Sequence, residues 1–241
     1  RIMAFIGIIP ARYASSRFPG KPLALIKGKP MIQWVYEQVN TASLSKVVVA
    51  TDDERIRKVV LDFGGEVVMT SPEHPSGTDR CGEAARLLGL TEEDVVINIQ
   101  GDEPFIRKEE IELLMAEFKS EQVRIATLVK KIDPATEDVQ NPNMVKVLFS
   151  QKHQAIYFSR FPIPFVRDES SVSVNRYKYI GIYAYRYKTL TELILLPKSS
   201  LEEAEKLEQL RWLDNGYSIS VAECFHENIA IDTPEDLLKI K

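Results

Sequence analysis

The chain has 241 residues, of which 44% are hydrophobic and 27% charged, as is ordinary for a soluble globular protein. Its net charge of -4 argues against a general nucleic-acid binder, because such proteins carry a broad basic surface. The apolar run at residues 3–9 is too short to span a membrane, so no membrane insertion is expected. Two distant cysteines, Cys81 and Cys224, do not make a disulfide framework, which favours a cytoplasmic location.

Strand and helix patterns alternate along the first half of the chain. Continuous apolar runs predict buried strands, and apolar residues that recur on one face predict helices. In chain order these elements are a strand at 4–9, a helix at 31–39, a strand at 46–50, a helix that Thr51 and Asp52 can cap, a strand at 66–69, a helix at 79–88, a strand at 95–99 and a helix at 109–118. The second of these helices carries Ile56, Val59, Val60 and Phe63 inward. This α/β alternation predicts a mostly parallel sheet covered on both faces, with ligands beyond the carboxyl ends of its strands.

The second half of the chain changes to an antiparallel pattern. Its predicted elements are a strand pair at 145–149 and 155–159, a long strand at 177–185, and one helix that begins at the cap Ser200 and ends near Gly216. No linker rich in Gly, Ser or Pro divides the chain. Residues 1–241 are therefore predicted to form one α/β domain with an antiparallel insertion at about 144–185.

A cationic loop follows the first predicted strand. The stretch "IIPARYASSRFPGKPL" contains Arg12, Arg17 and Lys21 in a protein that is acidic overall. Arginine binds phosphate oxygens bidentately and lysine supplies a mobile point charge, so a phosphate site is indicated. The loop has neither the P-loop nor the dinucleotide-binding glycine pattern. Three cations alone are equally compatible with a solvated surface loop.

Acidic residues follow two other predicted strands. Asp102 and Glu103 lie in "NIQGDEPF", and Asp232 lies in "IAIDTPEDL". Carboxylates at a strand end can hold magnesium, which prefers hard oxygen ligands. The alternative is that Asp102 caps the next helix and that Asp232 or Thr233 caps the last one. Two such acids facing a cationic loop favour a metal that bridges phosphates.

The stretch "SPEHPSGTDR" is a further candidate for ligand binding. Its small residues Ser76, Gly77 and Thr78 allow a backbone to approach a ligand, and Arg80 lies within reach of it. A plain loop and helix cap is an equally good explanation of the pattern. The chain's histidines, His74, His153 and His226, lack the spacing of a structural zinc site.

Taken together, these stretches resemble the 3-deoxy-manno-octulosonate (Kdo) cytidylyltransferases, the CMP-Kdo synthetases. The resemblance covers nearly the whole chain and rests on the ordered motifs "IPARYASSRFPGKPL", "ATDDERI", "SGTDR", "NIQGDEP", "YFSR", "GIYAY", "LEQLR" and "DTPEDL". It implies a Rossmann-like fold of the nucleotide-sugar transferase type and a magnesium-dependent reaction of CTP with Kdo that gives CMP-Kdo and pyrophosphate. It also implies a homodimer and a role in lipopolysaccharide biosynthesis.

The resemblance also assigns roles to residues at the matching positions. Arg12, Arg17 and Lys21 would bind the CTP phosphates, beside Ala11. The cytidine would be surrounded by Ser76, Gly77, Arg80 and Gln100. Magnesium would be held by Asp102 and Asp232, which with Arg12 and Lys21 form the expected catalytic set. The sugar site, within reach of the insertion, would be lined by Arg160, Tyr183, Glu208 and Gln209.

One position departs from the family pattern. Tyr179 stands where family members often carry histidine, two residues before the glycine of "GIY". Tyrosine donates a hydrogen bond but carries no positive charge near neutral pH. The acceptor therefore stays open between Kdo, an amino-substituted Kdo and another acid sugar such as a sialic acid. A non-catalytic CTP-binding regulator is the alternative outside enzymes.

Overall fold

The computed structural model describes residues 2–170, 173–226, 231 and 233–240. The strands are β1 Phe5–Ala11, β2 Leu25–Ile26, β3 Lys29–Pro30, β4 Lys46–Thr51, β5 Val67–Met69, β6 Val95–Asn98, β7 Ile125–Lys131, β8 Lys146–Phe149, β9 Ala155–Ser159, β10 Tyr177–Arg186 and β11 Ser220–Glu223. The α-helices are α1 Met31–Val39, α2 Glu54–Asp62, α3 Gly77–Leu87, α4 Lys108–Glu117, α5 Tyr187–Leu193, α6 Ser200–Glu205 and α7 Gln209–Asp214. Short 3-10 helices occur at Lys21–Leu23 and Pro234–Lys239.

Nine strands form one mixed sheet, and β2 and β3 form a separate small hairpin. The main path runs β11-β7-β10-β6-β1-β4-β5. The pairs β1–β4, β1–β6, β4–β5 and β7–β11 are parallel, whereas β10 is antiparallel to both β6 and β7. Strands β8 and β9 extend the sheet as an antiparallel pair beside β10. The predicted α/β class with an antiparallel insertion is confirmed.

The sheet separates two hydrophobic cores because successive strand residues point to opposite faces. On β1, Ile9 and Ala11 pack on one side, and Ile6 and Ile8 pack on the other. Helices α1, α2 and α4 cover the first face, and α3, α5 and α7 cover the second. A sheet that is buried on both faces leaves its strand ends as the accessible polar edges, and the loops at those edges carry the site.

The predicted caps of two helices are wrong by one or two residues. Asp53, not Thr51 or Asp52, caps α2, since its carboxylate accepts hydrogen bonds from the backbone of Arg55 and Ile56. Ser199 rather than Ser200 caps α6, where its hydroxyl accepts from the Glu202 amide. In both places two candidate caps are adjacent, and the backbone geometry selects between them.

The single helix predicted from Ser200 to Gly216 is also wrong, because two short helices occupy this segment. The helix is interrupted at Lys206, whose φ of 54° lies in the left-handed region. The apolar stripe continues across the break, with Leu207 and Leu210 buried, so the sequence pattern hides it. Helix α7 begins at Gln209, directly after its N-cap Glu208.

A buried ion pair joins the two short helices. Arg211 donates from Nε and Nη2 to the Glu202 carboxylate, at 2.6 Å in each case, and from Nη1 to the Leu196 carbonyl at 3.2 Å. The side chains are only 13% and 11% exposed. Burial raises the pKa of the Glu202 carboxyl, but the hydrogen bonds and charge of Arg211 outweigh this and leave that pKa lowered.

Five elements of the structure have no counterpart in the sequence prediction, namely β2, β3, β7, β11 and α5. The apolar run of β7 is cut short because the strand ends in two lysines, although Lys130 is buried. The two residues of β2 and of β3 are too few for a periodic pattern. None of the helices in the described ranges is long and apolar enough to cross a membrane.

We expect single substitutions in the α6–α7 ion pair to be more harmful than removal of the whole pair. Glu202→Leu or Arg211→Leu should each cost about 3 kcal/mol of unfolding free energy, because each leaves a buried charge without its partner. The double variant should lose less than either single one. Chemical denaturation of the three variants and the parent measures this, and additive losses in the double variant would contradict the role given to the pair.

Candidate active site

The candidate site lies at the carboxyl ends of β1 and β6. These strands are parallel neighbours, with Ile8 opposite Asn98, so the loops that follow them leave the sheet side by side. Two cavities lie between these loops, and both are lined by Pro10, Ala11, Arg12 and Gln100. They are therefore adjoining parts of one cleft, and we call them the loop cavity and the helix cavity.

The loop cavity has a volume of about 220 Å³ and contains the predicted phosphate-binding cations. Besides the four shared residues it is lined by Ser15, Arg17, Lys21, Pro22, Gly101 and Asp102. Arg12 and Arg17 are exposed, so their guanidinium groups are open to solvent. The structure thus brings together all three cations and one of the two predicted metal ligands.

Lys21 and Asp102 form the central contact of the loop cavity. The Lys21 ammonium donates to Asp102 Oδ2 at 3.1 Å and to the Ile231 carbonyl at 3.2 Å. The Ile231 amide in turn donates to the Asp102 carbonyl at 3.0 Å. Three distant segments of the chain therefore meet at this pair. Asp232 lies outside the described residues, so its predicted metal role stays a prediction.

The cationic loop is braced from outside the cavity. The Arg55 guanidinium stacks over the Tyr13 ring, 3.3 Å from its centroid, and is held by a double contact with Asp53. Gly20 packs on the same ring and has a φ of 69°, and a Cβ there would lie 3.0 Å from the ring carbons. Glycine suits this position for both reasons. The brace links the loop to the first turn of α2.

The helix cavity, of about 190 Å³, contains the residues predicted to surround the cytidine. In addition to the shared residues it is lined by His74, Pro75, Ser76, Gly77 and Arg80. Ser76 caps α3, because its hydroxyl oxygen accepts a hydrogen bond from the Asp79 amide. A Cβ on Gly77 would lie 3.1 Å from Pro10 Cγ, so glycine allows the helix terminus to approach the end of β1. The predicted set thus shares one cavity.

Arg80 has structural partners that the sequence does not indicate. It is 4% exposed, and its guanidinium pairs with Asp52 at 3.1 Å and donates to Thr70 Oγ1 at 2.6 Å. These contacts tie α3 to the ends of β4 and β5. Arg80 still lines the helix cavity, so its predicted cytidine contact stays a prediction.

Of the predicted sugar residues, Tyr183 and Gln209 are buried, and Glu208 lies at the N-terminus of α3, where Thr78 and Ser76 donate to its carboxylate. The rings of Tyr179, Tyr183 and Tyr185 are neighbours on β10, with centroids 5.4 and 6.0 Å apart. Gln209 is buried, and its amide nitrogen has no hydrogen-bond partner among the described residues. An unpartnered buried donor is expensive, which favours a polar ligand here.

Glu208 connects the sugar residues to the helix cavity. Burial raises the pKa of its carboxyl, while hydrogen bonds from Thr78 and Ser76 act in the opposite direction. Burial is also the main cause of the raised pKa of Tyr179, and the charges of Glu208, Glu103 and Asp102 add to it. The charges of these three carboxylates therefore act on the Tyr179 phenol.

Arg160 differs from the expected free guanidinium. Its Nε donates to the Glu205 carbonyl at 2.7 Å, Nη1 to the Pro142 carbonyl at 3.0 Å and Nη2 to the Lys206 carbonyl at 3.3 Å. These bonds fasten the α6–α7 break to the end of β9. Its assignment to a sugar carboxylate stays a prediction, and carboxylate binding there would require exchange of at least one carbonyl contact.

Sequence reasoning missed His74, Tyr13 and Arg55 as parts of the site. His74 lies within the stretch "SPEHPSGTDR", so its position next to the predicted cytidine residues is the signal that could have identified it. Arg55 gives no such signal, because its contact with Tyr13 joins segments that are remote in sequence. Within the described ranges, no group of three or more His, Cys, Asp or Glu side chains could hold a metal ion.

Comparison with known proteins identifies the family. The cytidylyltransferase family model matches residues 6–222. The 3-deoxy-manno-octulosonate cytidylyltransferase of Parabacteroides distasonis is 54% identical, over 99% of this chain and 97% of that protein. The 8-amino-3,8-dideoxy-manno-octulosonate cytidylyltransferase of Shewanella putrefaciens is 49% identical, over 98% of this chain and 97% of that protein.

A solved structure gives the same result. The structure of CMP:2-keto-3-deoxy-manno-octonic acid synthetase complexed with CTP has a TM-score of 0.91 and 42% identity, and covers 98% of this chain and 96% of that chain. A putative glucose-1-phosphate thymidylyltransferase from Bacillus anthracis, at 19% identity and a TM-score of 0.67, shares the fold alone. The chain therefore belongs to the cytidylyltransferase family, in the group of 3-deoxy-manno-octulosonate cytidylyltransferases.

Proposed function

We propose that this protein transfers CMP from CTP to the anomeric hydroxyl of Kdo and releases pyrophosphate. The observation that carries the proposal is the continuous cleft, which is lined by a cationic loop, a strand-end carboxylate and the N-terminus of α3. The names of the similar proteins supply the two substrates. The product would serve lipopolysaccharide biosynthesis, and the reaction would take place in the cytoplasm.

The loop cavity suits the triphosphate of CTP. Arg12 and Arg17 can each donate two hydrogen bonds to phosphate oxygens, and Lys21 adds a third positive charge. The Lys21 and Asp102 side chains are 20% and 26% exposed, so an anion that enters the cavity can reach the ammonium group. These cations would offset the repulsion between the triphosphate and an acid sugar, and would stabilise charge on the leaving pyrophosphate.

The Asp102 carboxylate is suited to be one ligand of a magnesium ion. Its carboxylate lines the cavity proposed for the phosphates, and magnesium is usually held by one or two carboxylates together with substrate phosphates. A metal shared with CTP needs no cluster of protein ligands, and Asp232 would be the second carboxylate. When bound, magnesium would neutralise phosphate charge and lower the pKa of a coordinated hydroxyl.

The acceptor would lie against Tyr183, Glu208 and Gln209, next to the helix cavity. Glu208 can accept hydrogen bonds from sugar hydroxyls, and the Gln209 amide can donate one. The proposed chemistry is direct displacement, in which the anomeric oxygen attacks the α-phosphorus and pyrophosphate leaves in line. The residues of the cleft bind and orient both substrates, and no covalent bond to the protein is needed.

Tyr179 favours a second candidate acceptor, an amino-substituted Kdo. One of the similar proteins is named for the 8-amino sugar, at 49% identity against 54% for a relative named for Kdo itself. Tyr179 also lines a cavity of about 370 Å³ together with Glu103, Asn141 and Asn143. An aromatic ring in the wall of this cavity can distinguish acceptor sugars by the substituent at the end of their carbon chain. Kdo remains the first proposal because the more similar relatives carry its name.

We also propose that the protein is a homodimer. The antiparallel insertion exposes Ile156, Phe161 and Phe165, which are 59%, 69% and 84% accessible. Large apolar side chains grouped in one segment are typical of an association surface. These side chains lie in and just after β9, and this insertion, at about residues 144–185, would form the contact between the two subunits.

The assay that tests the proposed function is pyrophosphate release from CTP and magnesium with Kdo, its 8-amino analogue and a sialic acid in parallel. Release that requires Kdo supports the first proposal. Release with the amino analogue alone would replace it with the second. Tight CTP binding without release for any acceptor would contradict both and favour a non-catalytic regulator.

Loss of a phosphate-loop cation should impair turnover without unfolding the protein. Lys21→Ala and Arg17→Ala are each expected to lower kcat/KM for CTP on the order of 100-fold, since each removes stabilisation of phosphate charge. Their Tm should change little, because partly exposed ion pairs contribute about 1 kcal/mol or less. Lys119→Ala, at an exposed lysine remote from the cleft, is the control. Near-normal turnover in either variant would refute the phosphate assignment.

Glu208→Gln should raise stability at neutral pH while it lowers activity. Because the folded-state pKa of this carboxyl is raised, the parent loses stability as the pH rises through that pKa, and the glutamine variant does not. Its Tm should exceed that of the parent at pH 8 and equal it at pH 4, with kcat/KM for the acceptor lowered about 10-fold. Glu203→Gln, at an exposed neighbour, is the control. A lower Tm at pH 8 would contradict this account.

A further inference from the structure

His74 belongs to the wall of the helix cavity, yet no role has been assigned to it. It lies beside Ser76, Gly77 and Gln100 in that wall. Its side chain is 21% exposed and is therefore partly buried. A polar ring at this place can contact whatever occupies the cavity.

The orientation of the His74 ring is determined by Glu83 on α3. The His74 Nε2 atom contacts Glu83 Oε2 in a short hydrogen bond, and the Ser71 amide donates to the same carboxylate oxygen at 2.9 Å. Glu83 therefore holds both the backbone and the side chain of the segment that precedes α3. The Ser71 amide, followed by His74, lowers the pKa of the Glu83 carboxyl, which keeps it an acceptor.

This arrangement selects one tautomer of the neutral ring. A carboxylate can only accept, so the proton lies on Nε2, and Nδ1 then carries a lone pair. The Gln100 amide is oriented by a hydrogen bond from Nε2 to Asn98 Oδ1 at 3.3 Å, and its carbonyl oxygen lies 3.9 Å from the position that a Cβ on Gly77 would take, so this oxygen is an acceptor in the wall. The helix cavity therefore presents hydrogen-bond acceptors on two sides.

Two acceptors distinguish cytosine from uracil. Cytosine carries an amino group at C4, which donates, whereas uracil carries a carbonyl oxygen at the same place, which accepts. A donor facing these acceptors is favourable, and a carbonyl facing them leaves both without a partner. A site built to hydrogen-bond one group discriminates against an analogue that lacks it more strongly than a size difference would.

We propose that His74 is a specificity-determining residue that accepts a hydrogen bond from the cytosine amino group through Nδ1, with Glu83 as its positioning residue. The proposal rests on the proposed function insofar as it places a cytidine nucleotide in the helix cavity. It adds the reason for the choice of CTP over UTP.

The two ring nitrogens can be tested separately. His74→Gln places an amide nitrogen near the position of Nε2 and can keep the contact with Glu83, but it has no group at the position of Nδ1. His74→Asn keeps a polar group near Nδ1 and loses the contact with Glu83. Glu83→Gln removes the charge that selects the tautomer. Glu73→Gln is the matched control, because Glu73 is exposed in the same segment.

The measurements are calorimetric affinities for CTP and UTP without acceptor, and kcat and KM for both nucleotides in pyrophosphate release. We expect His74→Gln to lower the CTP-to-UTP affinity ratio about 10-fold, through weaker CTP binding and unchanged or stronger UTP binding. His74→Asn should keep more of this affinity ratio, and Glu73→Gln should leave it unchanged. Glu83→Gln should lower the CTP-to-UTP ratio of kcat/KM, through a change in KM rather than in kcat.

An unchanged ratio in both His74→Gln and Glu83→Gln would overturn the proposal, even if turnover fell. Equal weakening of CTP and UTP together with a lower Tm would assign His74 a structural role only, and would also overturn it. The binding arm needs no turnover. If the parent released no pyrophosphate, the proposed function would fail while the affinity ratios still decided the role of His74.

Discussion

The Lys21–Asp102 ion pair is the contact on which the geometry of the cleft depends. It joins the cationic loop after β1 to the turn after β6, and the Lys21 ammonium also holds the carbonyl of Ile231. Without it, the cationic loop would lose its contact with the other two segments, which the hydrogen bond from the Ile231 amide to the Asp102 carbonyl still joins. A partly exposed pair contributes little to stability, so its importance is positional. In the proposed reaction the ammonium group would exchange this carboxylate for phosphate oxygens, which would release Asp102 for a metal ion.

The second constraint is the burial of the polar groups that are proposed to line the acceptor site. Tyr183 and Tyr185 are buried between α7 and the sheet, where Trp212 packs edge-on against both rings. Burial raises the pKa of both phenols, so they remain neutral donors and acceptors. Glu208 is held at the edge of this cluster with a raised pKa, and Gln209 has an unpartnered amide nitrogen. Such groups cost stability unless a ligand pairs with them, which is typical of a binding site.

Much of the fold and the grouping of the site can be predicted from sequence, because both depend on local patterns. Helix α1 matches its prediction at both ends, and β6 differs by one residue, because a strong periodic or apolar run defines each of them. The cations and Asp102 follow strands that are parallel neighbours, so their proximity follows from the α/β alternation.

The features that escape prediction depend on contacts between remote segments. No local sequence pattern indicates that Lys206 adopts a left-handed conformation, or that Arg160 donates hydrogen bonds to three backbone carbonyls. The stacking of Arg55 on Tyr13 and the burial of Arg80 against Asp52 likewise join separate elements. Residue type and motif therefore indicate which side chains gather at the cleft. The partners that orient them emerge only from the folded chain.

The most direct test of the account is a crystal structure of the protein with CTP and magnesium. The account predicts the triphosphate in the loop cavity, with phosphate oxygens bonded to Arg12, Arg17 and Lys21, and the cytosine in the helix cavity. Nucleotide bound elsewhere, for example in the cavity of about 420 Å³ beside Phe149 and His153, would contradict it. So would a triphosphate that leaves the Lys21–Asp102 pair intact and contacts neither arginine.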